Sequence, residues 1–247
     1  MTDRPTVDAT DSRAETRSDD GRLRPTEAAT GLLEALRTDG DPERYLAALA
    51  DYGHDDLRRI RDDRSAGLAF WINLYNAGTQ RLLAERPELY DSALRFLRFF
   101  RATAVTVAGT ELSLDDIEMG ILRGRRSKYG LGYLPRFPRQ FERRYALAVD
   151  PRIHFACNCG AASCPAIRFY TAENVEEQLD LAAETYLDST VEYDPDTNVA
   201  RIPRVFLWYR GDFDGRTGIR QLLRAYDAIP AEATPRFRYR SWDWSKA

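Results

Sequence analysis

Apolar residues recur at helical spacing through the first half of the chain. Thr26 to Arg37 carries Leu32, Leu33 and Leu36 on one face and is stopped by Gly40. Asp41-Pro42 has the N-cap and first-turn chemistry that opens a helix, with Tyr45, Leu46 and Leu49 turned inward. The longest helical pattern runs from Ser65 to Arg86 and halts before Pro87. Its stripe is Leu68, Trp71, Ile72, Tyr75, Thr79 and Leu82, while Asn73, Asn76 and Gln80 fall three and four apart on the adjoining face.

Shorter alternating runs follow. Thr103–Val107 and Glu111-Leu112 flank Gly109 as one hairpin, and Thr190–Tyr193 with Val199–Ile202 flank a DPDTN turn as another. Ser113, three residues before Asp116, starts a capped segment SLDDIEMGILR. Amphipathic helices are predicted over 171–187 and 216–229, and the chain ends in an aromatic tail, RFRYRSWDWS. Long helices interspersed with hairpins, without a βαβ rhythm, predict an α+β protein, mainly helical with short antiparallel hairpins, in a single domain over 25–247. Residues 1–24 hold only Met1, Val7 and Leu23 as sizeable apolar groups and are expected to form a disordered acidic and polar tail.

Composition narrows the function classes. The 247 residues are 43% hydrophobic, and no apolar run approaches the roughly 18 residues of a membrane span. The N-terminal residues lack the apolar core of a secretory signal, so a cytoplasmic location is expected. Three cysteines exclude a disulfide scaffold. The 36 basic and 39 acidic residues argue against an obligate nucleic-acid binder. Charge is nonetheless uneven. Residues 1–63 are net acidic, whereas 123–144 carries eight basic groups against Glu142 alone. Such a run predicts a solvated cover for an acidic neighbour, and 1–63 offers one.

The densest reactive chemistry is DPRIHFACNCGAASCPAIRFY, with His154, Cys157, Cys159 and Cys164 inside eleven residues. Ile153, Phe155, Cys157 and Cys159 alternate as in a strand; Asp150-Pro151 and Gly160 would instead bound a helix. In either conformation only Cys164, beyond the flexible 160–163 turn, can curl back toward His154. Cys164 is therefore the candidate nucleophile and His154 its base. All three thiols could equally be small buried apolar groups. A Cys₃His zinc site is disfavoured by the C-x-C-x₄-C spacing, and a Cys159–Cys164 disulfide by a reducing compartment, so neither metal nor cofactor is expected. Asn73 and Asn76 read either as clamps on backbone or as donors to a ligand or oxyanion. Glu118, between Ile117 and Met119, is a candidate acid/base group.

Four blocks, AFWINLYNAGTQ, VAGTELSLDDIEMGILR, DPRIHFACNCGAASCPAIRFY and VFLWYRGDFDG, occur in that order within roughly residues 65–244. Together they resemble the domain of unknown function 547 family. The resemblance maps onto Trp71, Asn73, Tyr75, Asn76, Glu118, His154, Cys159, Gly160, Ser163, Cys164 and Pro165. Cys157 stands where the family usually has an apolar residue, Met119 where a histidine commonly follows the glutamate, and the tail WDWSKA lacks the family's Leu-Asn ending. The resemblance implies no settled activity.

Two functions follow as expectations. One is a thiol-dependent hydrolase or acyl-transfer enzyme in which Cys164 attacks, His154 moves the proton, Glu118 orients His154, and Asn73, Asn76, Cys159 and Ser163 contact the ligand. The other is a binding or interaction module in which the same polar residues are structural. The expected partner in both is an unidentified small molecule or peptide.

Overall fold

The computed structural model describes residues 22–38, 40–90 and 97–246. The tail expected over 1–24 lies outside the described residues as far as residue 21. Helices α1 (Pro25–Arg37), α2 (Glu43–Asp51), α3 (Arg58–Asp62) and α4 (Arg64–Glu85) come first. Asp63 caps α4 by accepting from the Ser65 and Ala66 amides at 2.9 and 3.1 Å. The helix ends where Arg86 is pushed out of helical geometry by Pro87.

The periodicity of α4 predicts one buried stripe, but sixteen of its 22 residues are buried, on every side. α1, α3, the first hairpin and the Val175–Thr190 helix all pack around it. Its polar residues Asn73, Asn76 and Thr79 are thereby carried into the core. Burying each large apolar side chain of this helix stabilises the fold by about 1.5–3 kcal/mol.

The first hairpin pairs β1 (Thr103–Val107) with β2 (Thr110–Ser113) through Ala108 and Gly109, both at positive φ, the backbone of a two-residue turn. The second sheet has the order β3–β4–β5, with β3 (Glu192–Asp194) antiparallel to β4 (Val199–Ile202) as the DPDTN turn predicts. β5 (Arg236–Tyr239) is a strand beyond the two expected hairpins: it comes from the aromatic tail and runs parallel to β4. The short helix Val205–Trp208 and the helix Gly215–Ala225 lie between β4 and β5 in the chain and supply the crossover a parallel pair requires. The fold is α+β, mainly helical, and a single domain.

Two apolar clusters form the core, one around α4 and one around Phe155, Phe206 and Phe213. Ile153 belongs to the first and Phe155 to the second. The intervening residue is His154.

Candidate functional site

The segment holding His154 is neither the strand its alternation suggests nor a full helix. Asp150 accepts the Arg152 amide at 2.9 Å, Pro151 follows in the first turn, and a single 3₁₀ turn spans Pro151–Phe155. The chain then enters a loop held by amides. Asn76 Nδ2 donates to Ala156 O at 3.1 Å, and Asn76 Oδ1 accepts from Asn158 N at 2.8 Å. Asn158 in turn donates to Pro165 O and accepts from Gly160 N, both at 2.7 Å. Gly160 sits at φ +86°, where a Cβ would come within 2.7 Å of Leu83 Cδ1. This tight loop folds Cys164 back onto Cys159, whose amide donates to Cys164 Sγ at 3.2 Å.

Asp212 orients His154. Its Oδ2 lies 2.9 Å from His154 Nε2. The same carboxylate accepts from Arg123 Nε at 2.5 Å, Arg123 Nη2 at 3.1 Å and Arg126 Nη1 at 3.0 Å. Burial alone would raise the Asp212 pKa, but the hydrogen bonds from His154 and Arg123 hold it well below the usual carboxylate range. An ionised carboxylate can only accept, so Nε2 carries the hydrogen of this contact and Nδ1 is the ring nitrogen it leaves uncommitted. The Tyr209 ring stacks on the imidazole with centroids 4.2 Å apart, and the Arg123 guanidinium lies 4.3 Å from the Tyr209 centroid. Gly211 lets the Gly130–Gly132 turn pack against the segment that carries Asp212, since a Cβ there would lie 2.6 Å from the Gly132 backbone.

Among the described residues, the basic stretch 123–144 makes its ion pairs with acids elsewhere than in residues 22–63. It turns inward and neutralises acids around the site. Lys128 pairs with Asp115, Arg136 with Asp116 and Glu142, Arg139 with Asp116, and Arg123 and Arg126 with Asp212. Ser113 and Asp116 cap each other reciprocally, and Asp116–Leu122 winds as a π-helix. Arg123 N reaches back five residues to Glu118 O at 2.9 Å.

A cavity of about 360 Å³ opens between the two apolar clusters. It is lined by His154, Cys157, Cys159, Cys164 and Glu118, with Tyr75, Phe100, Trp208 and Tyr209 among its aromatic walls. Trp242 and Trp244 complete the lining from the C-terminal segment. That segment is tied to the thiol loop by Ala162 N to Ser245 O at 2.8 Å and Asp243 N to Ser163 Oγ at 2.8 Å.

The three thiols, all free, differ electrostatically. Burial and the Glu118 carboxylate push Cys157 up. Cys159 is pushed up first by its hydrogen bond to Cys164 and then by burial. Cys164 moves the other way. The hydrogen bond from the Cys159 side chain lowers it against burial, assisted by the amides of Cys159 and Ala161.

The structure thus gathers Cys164, Cys159, His154 and Glu118 around one cavity. No hydrogen bond joins His154 to Cys164 among the described residues; the two face the same space. Glu118 is not the group that orients His154. Burial and then its carboxylate raise the Tyr209 hydroxyl and the Cys157 thiol above their ordinary values, and Glu118 lines the cavity with both. Asn73 and Asn76, expected to contact a ligand, do not line the cavity. Asn73 donates to Tyr170 O at 2.7 Å and Thr30 Oγ1 at 2.9 Å, and accepts from Tyr170 N at 3.0 Å. Asn76 clamps the thiol loop as described. Ser163 likewise holds the C-terminal segment. Asp212 and Tyr209 escaped the sequence reading; their only signal was a carboxylate after glycine inside the aromatic block VFLWYRGDFDG.

Among the described residues no group of three His, Cys, Asp or Glu side chains is placed to hold a metal ion. No described helix is long and apolar enough to cross a membrane. No curated protein and no solved structure matches the chain. The model of the family described as "Protein of unknown function, DUF547" matches residues 61–187, which takes in α4, Glu118, His154 and all three cysteines. The chain belongs to the DUF547 family.

Proposed function

We propose that the protein is a thiol-dependent hydrolase or acyl-transfer enzyme. One observation carries this reading: a single cavity presents a thiol whose pKa is lowered beside an imidazole whose far nitrogen is fixed by an ionised, arginine-held aspartate. In this reading the Cys164 sulfur attacks a carbonyl carbon, forming the S–C bond of a thioester as the bond to the leaving group breaks. His154 Nδ1 takes the thiol proton through the substrate or one water and returns it to the leaving group. Water, deprotonated by the same nitrogen, then cleaves the thioester to a carboxylic acid and restores the thiol; an acceptor alcohol or amine in place of water gives transfer. Asp212 holds the imidazole in the useful tautomer, and Tyr209 fixes its plane.

The test uses an activated acetyl ester and mass spectrometry. Acetylation is expected at Cys164, absent in Cys164→Ser and slowed about 10²–10⁴-fold in His154→Ala. Acetylation spread equally over the three cysteines, or unchanged in His154→Ala, rejects the reading and leaves the binding-module alternative.

A further inference from the structure

Cys164, Pro165 and Trp242 also line a second cavity, of about 480 Å³, and so form the partition between the two. The chemistry differs on its two sides. The first cavity is walled by aromatic rings; the second is ringed by Arg168, Arg204 and Arg240. These come from three separate parts of the chain: the approach to the Val175–Thr190 helix, the residue pair after β4, and the residue after β5.

Arg240 pairs with Glu192 and donates to Thr190 O. Arg168 donates to Thr185 Oγ1 at 3.1 Å and meets no carboxylate among the described residues. Arg204 lines the cavity with no ion pair and no hydrogen bond from its guanidinium among the described residues. Asp243 is the one acid in the lining, and it is exposed and accepts the Ser245 amide. The hydroxyls of Thr185, Ser189 and Thr190 all donate to helix carbonyls, and the charged donors the lining offers a ligand are all guanidiniums. Convergent guanidiniums repel one another until an anion joins them, and their planar forks match carboxylate and phosphate oxygens.

We propose, on the acyl-transfer reading, that the arginine-lined cavity takes an anionic head, phosphate or carboxylate, on the leaving group of the substrate, while the aromatic cavity takes its apolar acyl part. The scissile carbonyl then lies at Cys164, the thiol common to both.

The test has two arms on the wild-type protein and Arg204→Gln, a change that strands no partner. Thermal melts are recorded in inorganic phosphate, acetate and chloride at equal ionic strength. Phosphate or acetate, at about tenfold its Kd, is expected to raise Tm by roughly 3 °C in the wild type and far less in the variant; which anion acts tells phosphate from carboxylate. In the second arm Cys164 is alkylated by iodoacetate and by iodoacetamide. The ratio of the anionic to the neutral rate should fall several-fold in Arg204→Gln. Equal melts in all three salts with an unchanged ratio overturn the proposal. An anion shift that disappears in Arg204→Gln, with Cys164 silent to both reagents, keeps the anion site and rejects acyl transfer instead.

Discussion

Two sets of polar side chains are buried in this protein, and they do opposite things. On α4, Asn73 and Asn76 are 1% and 0% exposed, and each has both amide atoms matched to other groups of the chain. At the cavity wall His154 is 6% exposed, with Nε2 fixed by Asp212 and its other ring nitrogen outside that contact, on an imidazole that borders open space. Burial and polarity are alike. What separates a clamp from a candidate catalytic group is bonding capacity left over beside a cavity. The thiols repeat the contrast: Cys157 and Cys159 are pushed toward the neutral form, while Cys164 is drawn toward the charged one.

The hardest way to break the comparison is at Asp212. Asp212→Asn removes the one charge that, among the described residues, pairs the fully buried Arg123, and a loss of about 3–5 kcal/mol in urea unfolding is expected. The same carboxylate dictates a pH response. Asp212 titrates lower folded than unfolded, so its contribution is complete well above the unfolded value of about 3.9 and is lost as pH falls through that value toward the lowered one. Wild type should therefore lose more stability than Asp212→Asn on acidification through that window; parallel curves would contradict the assignment.

Asn73→Ala tests the clamp. It strands the Tyr170 amide and carbonyl and should cost roughly 1–3 kcal/mol for each group left unsatisfied. Alkylation of Cys164 in the folded protein should not change; a change would mean that α4 belongs to the site after all. Ser163→Ala is the mildest case. It deletes one hydrogen bond to the exposed Asp243 amide, about 0.5–1.5 kcal/mol, and should loosen the tryptophans over the cavity enough to quicken access to Cys164.

Local signals made much of this legible. The Ala108-Gly109 turn, the Ser113 cap and the Pro87 stop are all set within a few residues. The rest depends on distant partners. Nothing in the spacing of 123–144 tells that Arg123 meets Asp212, 89 residues away, rather than the acidic N-terminal region. The amides of α4 face Tyr170, Ala156 and Asn158, and only tertiary packing decides whether such amides meet backbone or ligand. β5 joined β4 in parallel because the crossover brought it there, which a four-residue alternation cannot encode.

Site-resolved alkylation of the native protein against pH, read by mass spectrometry beside Cys159→Ala, tests the central claim most directly. The account predicts that Cys164 reacts ahead of Cys157 and Cys159, with an apparent pKa below the ordinary thiol value of about 8.5, and that losing the Cys159 hydrogen bond raises it. Three thiols that stay silent until the protein is unfolded would contradict it.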